Sequence, residues 1–184
     1  MARLVLINGA PGSGKSTLAR MYVDEHPLTL ALDVDVVRGM LGCWLDHAGE
    51  AGRIARRMAL AMARVQLADG RDVLVPQFLG RVDFVLELER LCGEVAAEFV
   101  ELVLLSSAEE AVARFVRRSE GSATAAHRDA QALLERLGGV EQLAGMYERL
   151  LDVVAKRPAT CPITTIDGQV ERAYRDLVAA LDRS

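Results

Sequence analysis

A three-layer α/β fold is expected from these 184 residues, with a five-stranded, mainly parallel sheet between helices on both faces and a small lid. Short continuous apolar runs alternate with longer amphipathic ones along the chain, the pattern of strands covered on both sides and joined by crossover helices. The first apolar run leads into the glycine-rich stretch GAPGSGKS, and a helix-forming run follows it. At 51% hydrophobic residues the chain has ample side chains for a core, and one domain over 1–184 suffices.

Arg3 to Asn8 reads as the first strand, because Leu4, Val5, Leu6 and Ile7 are continuously apolar. A helix from Lys15 to about His26 follows and stops before Pro27. LTLALDVD reads as a second strand with an acidic end, and Val36 to Leu41 as a short helix. Ala51 to Ala68 has Ile54, Met58, Ala61, Met62 and Val65 at helical spacing, which predicts an amphipathic helix buried along that stripe. DVLVP is a third strand, Arg81 to Cys92 a helix, and EFVELVLLS a fourth strand leading into a helix over 107–119. EGSATAAHRD interrupts the pattern with small and polar residues, as a lid over about 114–130 requires. Two helical stretches, 130–137 and 140–156, then lead to a fifth strand, CPITTID. Val170, Tyr174, Leu177, Val178 and Leu181 mark a terminal helix. In such a fold ligands bind at the carboxyl ends of the strands.

The net charge of −4 counts against tight non-specific nucleic-acid binding, which rests on neutralising phosphates. No apolar run reaches the roughly 18 residues of a membrane span. Cleaving the N-terminus as a leader would destroy the glycine motif, so a cytoplasmic location without membrane contact is expected. Cys43, Cys92 and Cys161 are far apart and form no CxxC pair, the spacing of reduced thiols rather than of a disulfide framework or a zinc site. Nothing in the chain speaks to oligomeric state.

Gly9-Ala10-Pro11-Gly12-Ser13-Gly14-Lys15-Ser16 satisfies G-x-x-x-x-G-K-[ST] between a predicted strand and a predicted helix, the phosphate loop of the P-loop NTPases. Glycines let backbone N–H groups turn toward a triphosphate. Lys15 reaches the β- and γ-phosphates, Ser16 ligates Mg²⁺, and Thr17 meets the α-phosphate at the helix N-terminus. ATP with Mg²⁺ is therefore the expected cofactor pair. The absence of a guanine-reading N-K-x-D leaves the purine assumed rather than read.

Asp33 and Asp35, two apart at a strand end, would point to one side of an extended chain beside the phosphate loop. A phosphoryl acceptor needs a carboxylate to orient its hydroxyl and take the proton. Asp35 is assigned as that base, with Asp33 as its partner or a residue of the magnesium shell, and the two roles are interchangeable on the sequence alone. Arg38 would hold an anionic or polar acceptor group, or share the acidic charge. The competing reading has both aspartates merely capping the following helix.

GAPGSGKSTLAR followed by DVDVVR resembles the P-loop kinase group of nucleotide-kinase-like fold that includes polynucleotide 5′-hydroxyl kinases, chloramphenicol phosphotransferase-like and tunicamycin-resistance-like proteins. Asp35 and Arg38 match the group's Asp-x-x-Arg, which implies a general base and an acceptor-side arginine. The third strand departs from the nucleic-acid kinases, which carry an Asp and a nearby Asn where this chain reads VLVPQFLGR. Pro76 is closer to the Val-Pro of the tunicamycin-resistance-like sequences. A Walker B aspartate is missing after DVLV, which weakens the GTPase and mechanical ATPase readings. Gln77 would hydrogen-bond an acceptor or sit as a solvated loop residue.

The resemblance also places EAVARFVRR, Glu110 to Arg118, on the group's lid pattern E-x-V-x-R-x-x-x-R. It implies phosphate contacts from Arg114 and Arg118, with Arg118 foremost, and arginine suits the charge that spreads over a transferring phosphoryl group. His127 and Arg128 would complete the lid. Arg53, Arg57 and Arg64 form a second basic stripe, either solvated or bordering an acceptor cleft. Trp44 would stack on a flat acceptor or simply pack, and Asp46 with His47 would offer a proton relay.

The expected activity is transfer of the γ-phosphoryl of ATP to a hydroxyl of a small molecule such as a metabolite, nucleoside or antibiotic. The alternatives are a polynucleotide 5′-hydroxyl kinase and a nucleotide-binding regulatory ATPase with no acceptor.

Overall fold

The computed structural model describes residues 1–107, 110, 113, 132, 139 and 141–183. The lid expected over 114–130, with Arg114, Arg118, His127 and Arg128, lies outside the described residues, as do most of the helices expected over 107–119 and 130–137.

Five strands, β1 (Arg3–Gly9), β2 (Leu30–Ala31), β3 (Val73–Pro76), β4 (Glu98–Leu105) and β5 (Cys161–Thr164), form one sheet in the order β2-β3-β1-β4-β5. Every pairing is parallel, with Ile7 opposite Pro76 on one side of β1 and Leu102 on the other. The helices whose bounds fall among the described residues are α1 (Lys15–Glu25), α2 (Val34–Gly39), α3 (Ala48–Ala68), α4 (Asp83–Glu94), α5 (Glu141–Ala155) and α6 (Val170–Leu181).

β1 alternates across the sheet as its pleat demands. Leu4 and Leu6 enter a core built with α2, α3 and α4, whereas Val5 and Ile7 enter one built with Leu18, Ala19 and Tyr22 of α1 and Ala173, Leu177 and Leu181 of α6. A third cluster joins Ala10 of the phosphate loop to Val103 of β4 and Leu150 of α5.

Glu101 of β4 is buried, its side chain only 4% exposed. Arg157, between α5 and β5, donates through Nε to Glu101 Oε2 at 2.8 Å and through Nη1 to Glu89 Oε2 at 2.9 Å. This fastens the end of α5 to the sheet and to α4.

Two expectations are corrected. The second strand is two residues long rather than eight, because the Asp33 side chain takes the N-cap of α2 and accepts from the Asp35 N–H at 2.9 Å. A local side-chain bond to the backbone competes with the strand ladder at such residues. Asp35 therefore stands in the first helical turn instead of extending a strand.

The second correction concerns α3. It buries Ala51, Ala55, Ala59, Ala63 and Leu67, while Ile54, Met58, Met62 and Val65 stay exposed, as does Ala61. Residues four apart share a helix face, and a face of alanines lets α3 lie close against the side chains of α2 and the sheet. The bulkier stripe is left facing outward. Arg53 and Arg57 are exposed beside it, and Arg64 pairs with Glu94 of α4.

Cys43 is exposed, Cys161 half-buried and Cys92 buried, its thiol pushed up to about 11 by burial and then by the Glu89 charge. All three are free thiols. Among the described residues no helix is long and apolar enough to cross a membrane.

Candidate active site

The phosphate loop bridges the end of β1 and the start of α1, at the middle of the carboxyl edge of the sheet. Gly9 is required by space: a Cβ there would stand 2.6 Å from Ser13 Oγ and 3.2 Å from the Leu104 carbonyl oxygen. Gly12 (φ 83°) and Gly14 (φ 97°) hold left-handed backbone that glycine adopts without a Cβ penalty. Gly14 is also the N-cap of α1, so Lys15, Ser16 and Thr17 form its first turn, where free N–H groups and the helix dipole favour an anion.

Lys15 Nζ donates to the carbonyl oxygens of Gly9 and Ala10, both at 2.9 Å, which draws its ammonium across the loop. The Ser13 N–H donates to the Ala10 carbonyl at 3.1 Å and closes the turn. Ser16 and Thr17 are exposed.

Sequence reasoning missed Asn8. This side chain, 1% exposed, accepts through Oδ1 from the N–H groups of Gly9 (2.8 Å) and Leu79 (2.9 Å). Its Nδ2 donates to the Leu79 carbonyl at 3.2 Å. One amide thus ties the first residue of the phosphate loop to the segment after β3. A lone polar residue ending an apolar strand was the available signal, and its partner 71 residues away was not legible.

Asp33 and Ser16 meet across the end of β3, with the Ser16 hydroxyl donating to Asp33 Oδ2 at 3.2 Å. Burial, and then the neighbouring Asp35 charge, raise the Asp33 carboxyl above its ordinary value. Asp35 lies outward of it, 37% exposed, with Oδ1 3.0 Å from Nη1 of Arg38, whose side chain is 13% exposed.

Arg38 also lies over the ring of buried Trp44, 4.5 Å from its centroid, so the indole packs on the arginine. Cys43, the residue before it, has left-handed backbone at φ 51°, an uncommon conformation for a side chain other than glycine. Of the two readings of Trp44, stacking on an acceptor or packing, the buried ring against Arg38 fits packing. Asp46 and His47 are exposed ahead of α3.

The structure therefore gathers Lys15, Ser16, Asp33, Asp35 and Arg38 at one edge of the sheet. A magnesium ion fits this donor set: Ser16 Oγ and Asp33 Oδ2 are adjacent hard oxygens, and a cation there would favour the ionised Asp33 carboxylate that burial, and then the Asp35 charge, disfavour. Among the described residues no group of three or more His, Cys, Asp or Glu side chains would hold a metal unaided. Magnesium at nucleotide sites likewise takes few protein ligands and leans on phosphates and water.

No curated protein matches the chain in sequence. Among solved structures, a gluconokinase from Sinorhizobium meliloti 1021 superposes with a TM-score of 0.62 at 15% identity, covering 97% of this chain and 91% of that one. The structure titled APE1195 superposes with a TM-score of 0.61 at 20% identity, covering 99% and 96%. At these identities the likeness is one of fold, the P-loop α/β architecture expected from the motif. A family model described as an AAA domain matches residues 4–143, more than half of the chain, and the protein belongs to that family.

Proposed function

We propose that the protein is an ATP-dependent phosphotransferase that moves the γ-phosphoryl group to a hydroxyl of a small molecule. One observation carries this reading: the Ser16 hydroxyl donates to the Asp33 carboxylate, and the Asp35 carboxylate stands in the first turn of the helix that Asp33 caps, 37% exposed and paired with Arg38. A carboxylate at that place serves an incoming alcohol, which a nucleotide switch does not need. The likeness in fold to a gluconokinase, a small-molecule kinase by its title, supports the same class.

In this reading the loop amides from Gly9 to Gly14 and the Lys15 ammonium hold the donor triphosphate. Ser16, backed by Asp33, holds magnesium, which neutralises charge on the β- and γ-oxygens when bound. Asp33 has both oxygens engaged, on Ser16 and on the Asp35 N–H, so the base is Asp35. Arg38 fixes the Asp35 carboxylate through their ion pair. The acceptor oxygen bonds to the γ-phosphorus, the bond from that phosphorus to the β–γ bridging oxygen breaks, and the proton passes to Asp35 and on to solvent. Arg118, with Arg114, closes over the transferring group from a lid at 114–130 of a single domain spanning 1–184. That part rests on the motif in the sequence.

The test is a screen of metabolites, nucleosides and antibiotics for ATP-dependent mass gain of one phosphate, with a 5′-hydroxyl oligonucleotide as a separate arm. Lys15→Ala should abolish nucleotide binding, and Asp35→Asn should keep ATP affinity while losing transfer. Equal loss of ATP affinity in both variants would break the division of roles. Phosphorylation of the oligonucleotide alone would make the protein a polynucleotide kinase. ATP hydrolysis that no compound accelerates, undiminished in Asp35→Asn, would make it a regulatory ATPase.

A further inference from the structure

Among the described residues five buried side-chain polar atoms have no hydrogen-bond partner: Ser13 Oγ, Arg38 Nε, Gln77 Oε1, Glu101 Oε1 and Thr160 Oγ1. Folded proteins leave few such atoms, because each forfeits its hydration without return. Three of the five, on Ser13, Arg38 and Gln77, stand at the carboxyl edge of the sheet, where the candidate site lies. Ser13 belongs to the phosphate loop and Arg38 is committed to Asp35 and Trp44. Gln77, expected from the sequence to hydrogen-bond an acceptor or to sit as a solvated loop residue, is half-buried and takes no part in the transfer step proposed above.

Its position is specific. Gln77 is the first residue past β3, and its backbone N–H donates to the Ile7 carbonyl at 3.1 Å. Because β3 lies between β2 and β1, Gln77 sits between the helix that carries Asp33, Asp35 and Arg38 and the phosphate loop. The segment is also rigid. Asn8 clamps both the N–H and the carbonyl of Leu79. At Gly80 a Cβ would stand 3.0 Å from the Phe78 ring and 3.2 Å from Arg149 Cβ, so the chain there is packed against α5. The half-buried Gln77 side chain rides on this platform with its Oε1 buried and unpartnered, and its soft terminal torsion lets that oxygen turn to meet a bound molecule without moving the backbone.

We propose that Gln77 Oε1 accepts a hydrogen bond from a second donor on the acceptor molecule, a hydroxyl or amine other than the one phosphorylated. A carbonyl oxygen can only accept. The reacting hydroxyl has a single proton, and that proton leaves to Asp35. The donor to Gln77 is therefore a different group. This narrows the acceptor to compounds with at least two neighbouring donors, such as polyols, amino alcohols or the ribose of a nucleoside. The inference rests on the phosphotransferase reading and deepens it.

The experiment runs the phosphate-gain screen on nucleosides, monosaccharides and amino alcohols with the unmodified protein and with Gln77→Met, which keeps length and removes the carbonyl. The best acceptor is then compared with its analogues lacking one hydroxyl or amine at a time. One analogue should lose about tenfold in kcat/KM with the unmodified protein, the worth of one hydrogen bond. Gln77→Met should lose the same factor on the parent compound and nothing more on that analogue, because both changes remove one contact. Its Tm should be unchanged or raised by about 2–4 °C, since an apolar group replaces an orphaned polar one. Equal discrimination by both proteins, an acceptor without a second donor, or a lower Tm with unchanged kinetics would overturn the assignment while leaving the phosphotransferase reading intact. Failure of the unmodified protein to phosphorylate any compound overturns both.

Discussion

Replacing Asn8 by alanine removes three hydrogen bonds at once, two accepted from the N–H groups of Gly9 and Leu79 and one donated to the Leu79 carbonyl. The site is 1% exposed, so water does not replace the amide freely. A buried backbone group left unpaired costs about 1–3 kcal/mol. With partial relaxation the three together cost about 3–5 kcal/mol, a large share of the roughly 5–15 kcal/mol that holds a domain folded. For a chain of this length about 1 kcal/mol corresponds to 2–4 °C, so the Tm should fall by about 6–20 °C. Urea unfolding at neutral pH would measure the loss, and an unchanged m-value would show that the same surface unfolds. Asn8→Asp is the control. It keeps the acceptor for both N–H groups but has no donor for the Leu79 carbonyl until it is protonated, so its deficit should shrink as pH falls. A Tm for Asn8→Ala within 2 °C of the parent (below roughly 1 kcal/mol) would refute the view that this amide couples the phosphate loop to the segment carrying Gln77.

Arg157→Met should destabilise the fold by about 3–5 kcal/mol, because it strands the buried Glu101 carboxylate, whereas Arg157→Met combined with Glu101→Met should recover most of that in a denaturation cycle. Additive losses would show that the pair is not coupled. Asp33→Asn should keep the α2 cap, since asparagine caps as well as aspartate, and should change how stability depends on pH. The Asp33 carboxyl is raised by burial and by Asp35, so between its unfolded value and the raised one the folded state holds a proton that the unfolded state has lost. Stability therefore falls as pH rises through that window. Unfolding free energies measured from pH 4 to 7 should show this decline in the parent and a shallower one in Asp33→Asn, and parallel profiles would contradict the burial of charge at that cap.

The phosphate loop was legible because its demands are local: three glycines for backbone amides, a lysine, and a hydroxyl on the first turn of a helix all lie within eight residues. The alternation of strands and helices was equally plain, since covered parallel strands must be apolar throughout. Asp33 and Asp35 were found as residues but misplaced as geometry. An Asp-x-Asp after an apolar run fits the frayed end of a strand as well as a helix cap, and the choice fell to a bond between Asp33 and the Asp35 N–H.

The face of α3 that turns inward illustrates the other limit. Periodicity favoured the stripe with most apolar surface, Ile54, Met58, Met62 and Val65, yet the interior took the alanines at 51, 55, 59 and 63. Hydrophobicity along one helix says which faces can be buried, but how close the neighbouring sheet and α2 come decides which side chains fit. The Asn8 clamp, the Ser16–Asp33 bridge and the seat of Trp44 beneath Arg38 were likewise set by how the elements meet. The first two join groups far apart along the chain, which only the order and register of the strands could bring together, and the third depends on the turn between α2 and α3.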